Sequence, residues 1–121
     1  MIEAGRELLR TLDETGLHVT SALWLRIEDP GAWRLVLATP EIRHVGPLKL
    51  YERVHRALNS LPNRYSSLHI DDISIVDPKK PVIALIRSAI STPLKALSSI
   101  RFTQNAINGQ FIEDALIYRS T

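Results

Sequence analysis

The chain has 121 residues and no cysteine. That excludes disulfides, thiolate metal sites and a cysteine nucleophile. It has no apolar run near the ~18 residues that a membrane span needs. Its first residues, Met-Ile-Glu-Ala-Gly-Arg-Glu-Leu-Leu-Arg, lack the basic-then-apolar layout of a signal peptide. The expected compartment is therefore the cytoplasm, and no membrane partner is expected. Charge of one sign is scarce too: 15 Lys and Arg stand against 13 Asp and Glu, a formal net charge of +2. That falls short of the clustered excess of a dedicated DNA-binding domain. Eleven of the 15 cations are arginine, a composition that leans toward phosphate or carboxylate partners. There is no phosphate-binding glycine loop, nucleophile elbow, dinucleotide fingerprint, zinc spacing or internal repeat.

What is present is an ordinary hydrophobic content of 45%, enough to build one core. The strongest local signal lies near the end, where Asn108-Gly109 separates two β-prone runs. A type I′ turn needs positive φ at both central residues, which Asn-Gly supplies. Counting outward pairs Ala106 with Phe111, Gln104 with Glu113, Phe102 with Ala115 and Ile100 with Ile117 on one face. The other face carries Ile107 with Gln110, Asn105 with Ile112, Thr103 with Asp114, Arg101 with Leu116 and Ser99 with Tyr118. The first face is apolar except for Gln104 and Glu113. The second is mixed and is expected to be the wetter one.

Residues 2–15 predict a helix with Ile2, Leu8, Leu9 and Leu12 on one face, ended by Gly16. Val19 to Glu28 and Trp33 to Ala38 predict two strands joined by the turn Asp29-Pro30-Gly31. A three-residue loop there puts Arg26 opposite Arg34 and Trp24 opposite Val36. Thr39 to Gly46, with Pro40 and Gly46, predicts a loop with room for a helical turn. A helix follows from Pro47 to about Leu61, with Leu48, Tyr51, Val54, Leu58 and Leu61 as its buried stripe. Ser67 to Val76 predicts a strand with an irregularity at Asp71-Asp72. Asp77-Pro78 has the form of an N-cap and first helical residue, opening a largely apolar helix over 78–91. That helix is expected to be buried against more than one neighbour or to meet another subunit. The order α-β-β-α-β-α-β-β gives one α+β domain over residues 1–121. It has a mostly antiparallel sheet of about five strands and two to three packed helices. Helices on both faces would make it three-layered.

Four groups of residues could carry chemistry. Asp71, Asp72, Asp77 and Lys79 come first. An Asp followed by Asp-X-Lys at a strand end resembles the metal-binding core of restriction-type nucleases. That resemblance implies carboxylates on Mg²⁺ and a lysine that stabilises charge. Here X is Pro78, which favours the structural reading of a bulge and an N-cap. His69 and Asp71 share one strand face, but a third metal ligand is missing from the pattern, and His18, His44 and His55 are scattered. Glu113 with Gln104 is a carboxylate on an apolar face, either a ligand contact or general base in a pocket or a buried polar link. Trp24, Arg26 and Arg34, with Trp33, form an aromatic-basic set suited to nucleic-acid bases or a phosphate.

The expected function is a small non-catalytic binding domain acting through a protein partner or as a homo-oligomer. The expectation rests on hairpin edges open to pairing and on the over-apolar helix. The alternatives are a metal-dependent phosphodiesterase using Asp71, Asp72, Asp77, Lys79 and Glu113, and nucleic-acid binding through Trp24, Arg26 and Arg34. No cofactor is specified by any motif.

Overall fold

The computed structural model describes residues 2–26, 32–107 and 110–121; for residues 104, 105, 107, 110, 111 and 113 it describes the backbone alone. The elements are α1 (Ile2–Glu14), β1 (Ser21–Arg26), β2 (Arg34–Ala38), α2 (Ile42–Val45), α3 (Pro47–Asn59), β3 (Ile73–Val76), α4 (Pro81–Ala89), β4 (Ile100–Ile107) and β5 (Gln110–Ser120). Two 3₁₀ turns, Asn63–Tyr65 and Ile70–Asp72, precede β3. Among the described residues five strands form one sheet in the order β3-β2-β1-β5-β4. Only the β2–β3 pairing is parallel. The α+β architecture is as predicted.

Helices cover both faces, which gives three layers. One core joins Leu8, Leu9 and Leu12 of α1 and Leu50 and Val54 of α3 to Trp24, Leu35, Leu37, Ile73, Leu116 and Tyr118 of the sheet. The opposite core joins Ile83 and Ile86 of α4 to Leu23, Leu25, Val36, Ala115 and Ile117. Strands covered on both faces are apolar on both faces, so their alternation stops reporting register. That explains the first correction. Trp24 lies opposite Leu35 and Leu25 opposite Arg34, one residue away from the predicted alignment. It also explains the second. Ile112, Leu116 and Tyr118, expected on the wetter face of the hairpin, are buried. They belong to an inner strand.

The terminal hairpin has the predicted register from Ile100 opposite Ile117 to Ile107 opposite Gln110. Its Asn108-Gly109 turn lies outside the described residues. At the open end the Ser98 amide donates to the Tyr118 carbonyl (2.9 Å).

Helix ends follow local chemistry. Gly16 has φ +85°, a left-handed conformation that suits the C′ position after α1. Pro47 opens α3 as predicted. The buried line of α3 is Leu50, Val54 and Ala57, whereas Leu48 is 72% exposed. Apolar residues occupy two adjacent stripes of this helix, and packing selects the one facing α1 and β3. α4 starts at Pro81, not Pro78. The Asp77 carboxylate accepts from the Lys79 amide (2.8 Å) and the Asp77 carbonyl from the Lys80 amide (3.0 Å), closing a turn that contains Pro78. The predicted strand over 67–76 keeps only residues 73–76 as strand, because 70–72 wind into the 3₁₀ turn.

Candidate functional site

Two neighbouring features of the sheet could engage a partner: the terminal strand of the described sheet and an aromatic cleft. They share Arg101.

The edge is β4. It spans eight residues, and no strand lies beyond it in the described sheet. Arg101, Thr103 and Ala106 are exposed along it. The opposite edge, β3, has four residues, and its Ile75 amide donates to the Tyr51 hydroxyl of α3 (3.0 Å). Arg34 pins the same edge from β2. Its guanidinium donates to the Asp71 carbonyl (2.6 Å), the Ile73 carbonyl (3.1 Å) and the Ser74 hydroxyl (3.0 Å). A short, side-chain-covered edge is protected against pairing, and a long open one is available for it.

The cleft lies on the α1 face. Trp24, Leu116 and Arg101 stand in one row across β1, β5 and β4. With Ile2 and Trp33 they line a cavity of about 380 Å³. The next row holds Arg26, Asp114 and Thr103. The Arg26 and Arg101 guanidinium groups both lie over the Trp33 ring, 5.5 and 5.9 Å from its centroid. Arg101 also clasps Asp114 through Nε (2.6 Å) and Nη2 (2.5 Å). Hydrogen bonding from Arg101 holds the Asp114 carboxyl below its ordinary range, and the charge of Arg26 acts in the same direction.

The floor of the cleft is fixed from beneath. Trp24 Nε1–H donates to the Tyr118 hydroxyl (2.9 Å), which donates to the Ile2 carbonyl at the start of α1 (2.5 Å). Burial raises the Tyr118 phenol to about 12, with the Trp24 hydrogen bond opposing it.

The residues singled out in the sequence fall as follows. Trp24 and Trp33 meet Arg26 at the cleft, but Arg34 does not join them. Arg26 follows Trp24 on the α1 face, and Arg34 shares the α4 face with Val36. Trp24 is itself only 4% exposed. The structure supplies Arg101 in place of Arg34, from a strand some seventy residues away in sequence.

Asp71 and Asp72 lie at one end of β3 and Asp77 at the other, roughly 16 Å away at about 3.3 Å per residue. Asp72 accepts from the His69 amide (3.0 Å), and Asp77 pairs with Arg43 (2.8 Å). Lys79 is exposed. Among the described residues no three His, Asp or Glu side chains are grouped to hold a metal. His55, His69 and Asp71 border a separate cavity of about 290 Å³ beside the end of α3. His18 and His44 are exposed elsewhere. The side chains of Gln104 and Glu113 lie outside the described residues.

One ion pair escapes a reading of the sequence. Arg119 is 1% exposed and grips Asp13 of α1 through both Nη atoms (2.9 and 2.7 Å). It also donates to the carbonyls of Val19 (3.0 Å) and Ala96 (3.2 Å). Its signal is an arginine prolonging the apolar run Ala115-Leu-Ile-Tyr118 of an inner strand, where a cation must be paired.

No family model, curated protein or solved structure matches the chain.

Proposed function

We propose that this chain is a non-catalytic interaction domain that self-associates through β4, working in the cytosol. The observation that supports this is the contrast between the two sheet edges. β3 is short and covered by Tyr51, while β4 is twice as long and, among the described residues, has no strand beyond it. Antiparallel pairing of β4 with its copy joins two five-stranded sheets into one of ten strands. A two-fold interface of this kind is self-complementary, since each strand offers the same donors and acceptors.

The α4 face adds apolar area at the same margin. Ile100 and Phe102 of β4 and Val82 and Leu85 of α4 are only partly buried. The apolar helix was expected to be buried against more than one neighbour or to meet another subunit; in α4 Ile83 and Ile86 are the buried residues. A second copy placed along β4 would cover Ile100 and Phe102.

The test is size-exclusion chromatography with light scattering at tens to hundreds of micromolar. The expected mass is twice the 13.6 kDa of the chain. Thr103→Lys with Ala106→Lys puts charge on both sides of the edge and is expected to give monomer with an unchanged circular dichroism spectrum. A monomeric wild type, or a double variant that stays dimeric, overturns the proposal.

A further inference from the structure

We propose that a cavity on the α4 face of the sheet, beside the start of that helix, binds the anion of a small aliphatic carboxylic acid. This is a second binding property, separate from association through β4, because the cavity belongs to β1, β2 and β3, the three strands farthest from that edge. It measures about 410 Å³, within the range of small-molecule sites. Leu25 and Val36 form a buried floor, and Val76 and Val82 are half-buried walls. No aromatic ring lines it among the described residues. Stacking therefore gives a flat ring no advantage, and area burial favours a saturated tail.

The strand register brings charge to its rim. Leu25 stands opposite Arg34, Val36 opposite Ser74, and Ala38 opposite Val76. Alternate residues of β2 and β3 share a face, so Arg34, Val36, Ser74 and Val76 all meet Leu25 there. Lys80 joins them as the residue before the first turn of α4. Two cations thus line the cavity, and among the described residues no Asp or Glu does. Arg34 bonds only neutral acceptors, the Asp71 and Ile73 carbonyls and the Ser74 hydroxyl. Among the described residues neither Arg34 nor Lys80 has a carboxylate within ion-pair distance. Asp77, three residues before Lys80, is taken by Arg43 (2.8 Å), and the first turn of α4 carries no acid.

The donors that remain suit a carboxylate. Arg34 Nη1 carries two hydrogens and uses one, on the Asp71 carbonyl. The Ser74 hydroxyl accepts from Arg34 Nε (3.2 Å) and Nη2 (3.0 Å), and among the described residues its own proton has no acceptor. Lys80 adds an ammonium on a flexible stem. Charge-assisted bonds from these groups hold the anion, and the apolar floor takes the tail. The contacts that Arg34 makes to β3 also fix its guanidinium before any ligand arrives, which avoids part of the ordering entropy of binding. A strand of nucleic acid fits less well, since it needs aromatic platforms and a track of cations.

The test follows the methyl resonances of the full chain by NMR, with hexanoate, hexanamide and acetate as probes. Hexanoate is expected to shift the Val36, Val76 and Val82 methyls saturably at millimolar concentration. Hexanamide has the tail without the charge and acetate the charge without the tail, and each is expected to bind at least about fivefold more weakly. Lys80→Gln weakens hexanoate about fivefold and leaves hexanamide within about twofold. Ala32→Asp brings a carboxylate to the lining and weakens hexanoate by a similar factor. Both positions are exposed, so both variants are expected to keep the fold, which the same spectra report. No saturable shift with hexanoate at tens of millimolar overturns the inference. So does equal weakening of hexanoate and hexanamide by Lys80→Gln, acetate binding as tightly as hexanoate, undiminished hexanoate binding in Ala32→Asp, or shifts confined to the α1 face.

Discussion

Gly5 sits where α1 crosses the hydrogen bond between Trp24 and Tyr118. A Cβ there would stand 2.5 Å from the Tyr118 hydroxyl and 2.9 Å from Trp24 Nε1. Alanine normally favours a helix over glycine by about 1 kcal/mol. Here the clash reverses the sign, because neither ring can retreat from a packed core. Gly5→Ala is expected to destabilise by about 1–2 kcal/mol and lower the melting temperature by several degrees. A rise in melting temperature would show that the contact yields. Tyr118 gives a pH prediction at the same place. Its folded-state phenol is raised to about 12 from an ordinary value of 10.0. The folded state thus holds the proton more tightly than the unfolded chain. Stability is fully present below pH 10 and falls as the pH rises toward 12. Tyr118→Phe removes that alkaline loss, measurable as a flatter dependence of urea stability on pH above 10. The same slope in variant and wild type would assign the loss to another group.

At the scale of elements, Arg34 is a clamp between β2, β3 and the 3₁₀ turn before it. Arg34→Ala removes donors from two carbonyls and a hydroxyl, about 1 kcal/mol of local stability. Amide exchange over 70–76 is expected to accelerate while the terminal hairpin stays protected. Unchanged exchange there would mean that β3 is held by its ladder alone. The elements also show what the sequence could and could not carry. The hairpin register was legible because Asn108-Gly109 and the apolar pairs specified one alignment. The β1–β2 register was not, since Ala22 to Leu25 and Leu35 to Ala38 are buried on both faces and alternation has nothing to distinguish. The aromatic half of the cleft was visible in Trp24, Trp33 and Arg26. Arg101 was not, because only the β1–β5–β4 order brings it into their row. The acidic cluster illustrates the opposite case. Asp71, Asp72 and Asp77 are close in sequence, but an extended strand carries them apart.

For the whole molecule, the sheet has one closed end and one open end. Tyr51, Arg34 and a four-residue strand close it at β3. At the other end, among the described residues, no strand lies beyond the eight residues of β4. The cleft lies one strand in from that open end, with Arg101 common to both features. Concentration-dependent hydrogen exchange addresses self-association through β4 most directly, because it reports both the association and the strand that mediates it. The β4 amides are expected to be protected at hundreds of micromolar and to exchange faster on dilution, while β3 amides exchange at one rate throughout. Exchange in β4 that is independent of concentration would contradict pairing at this edge.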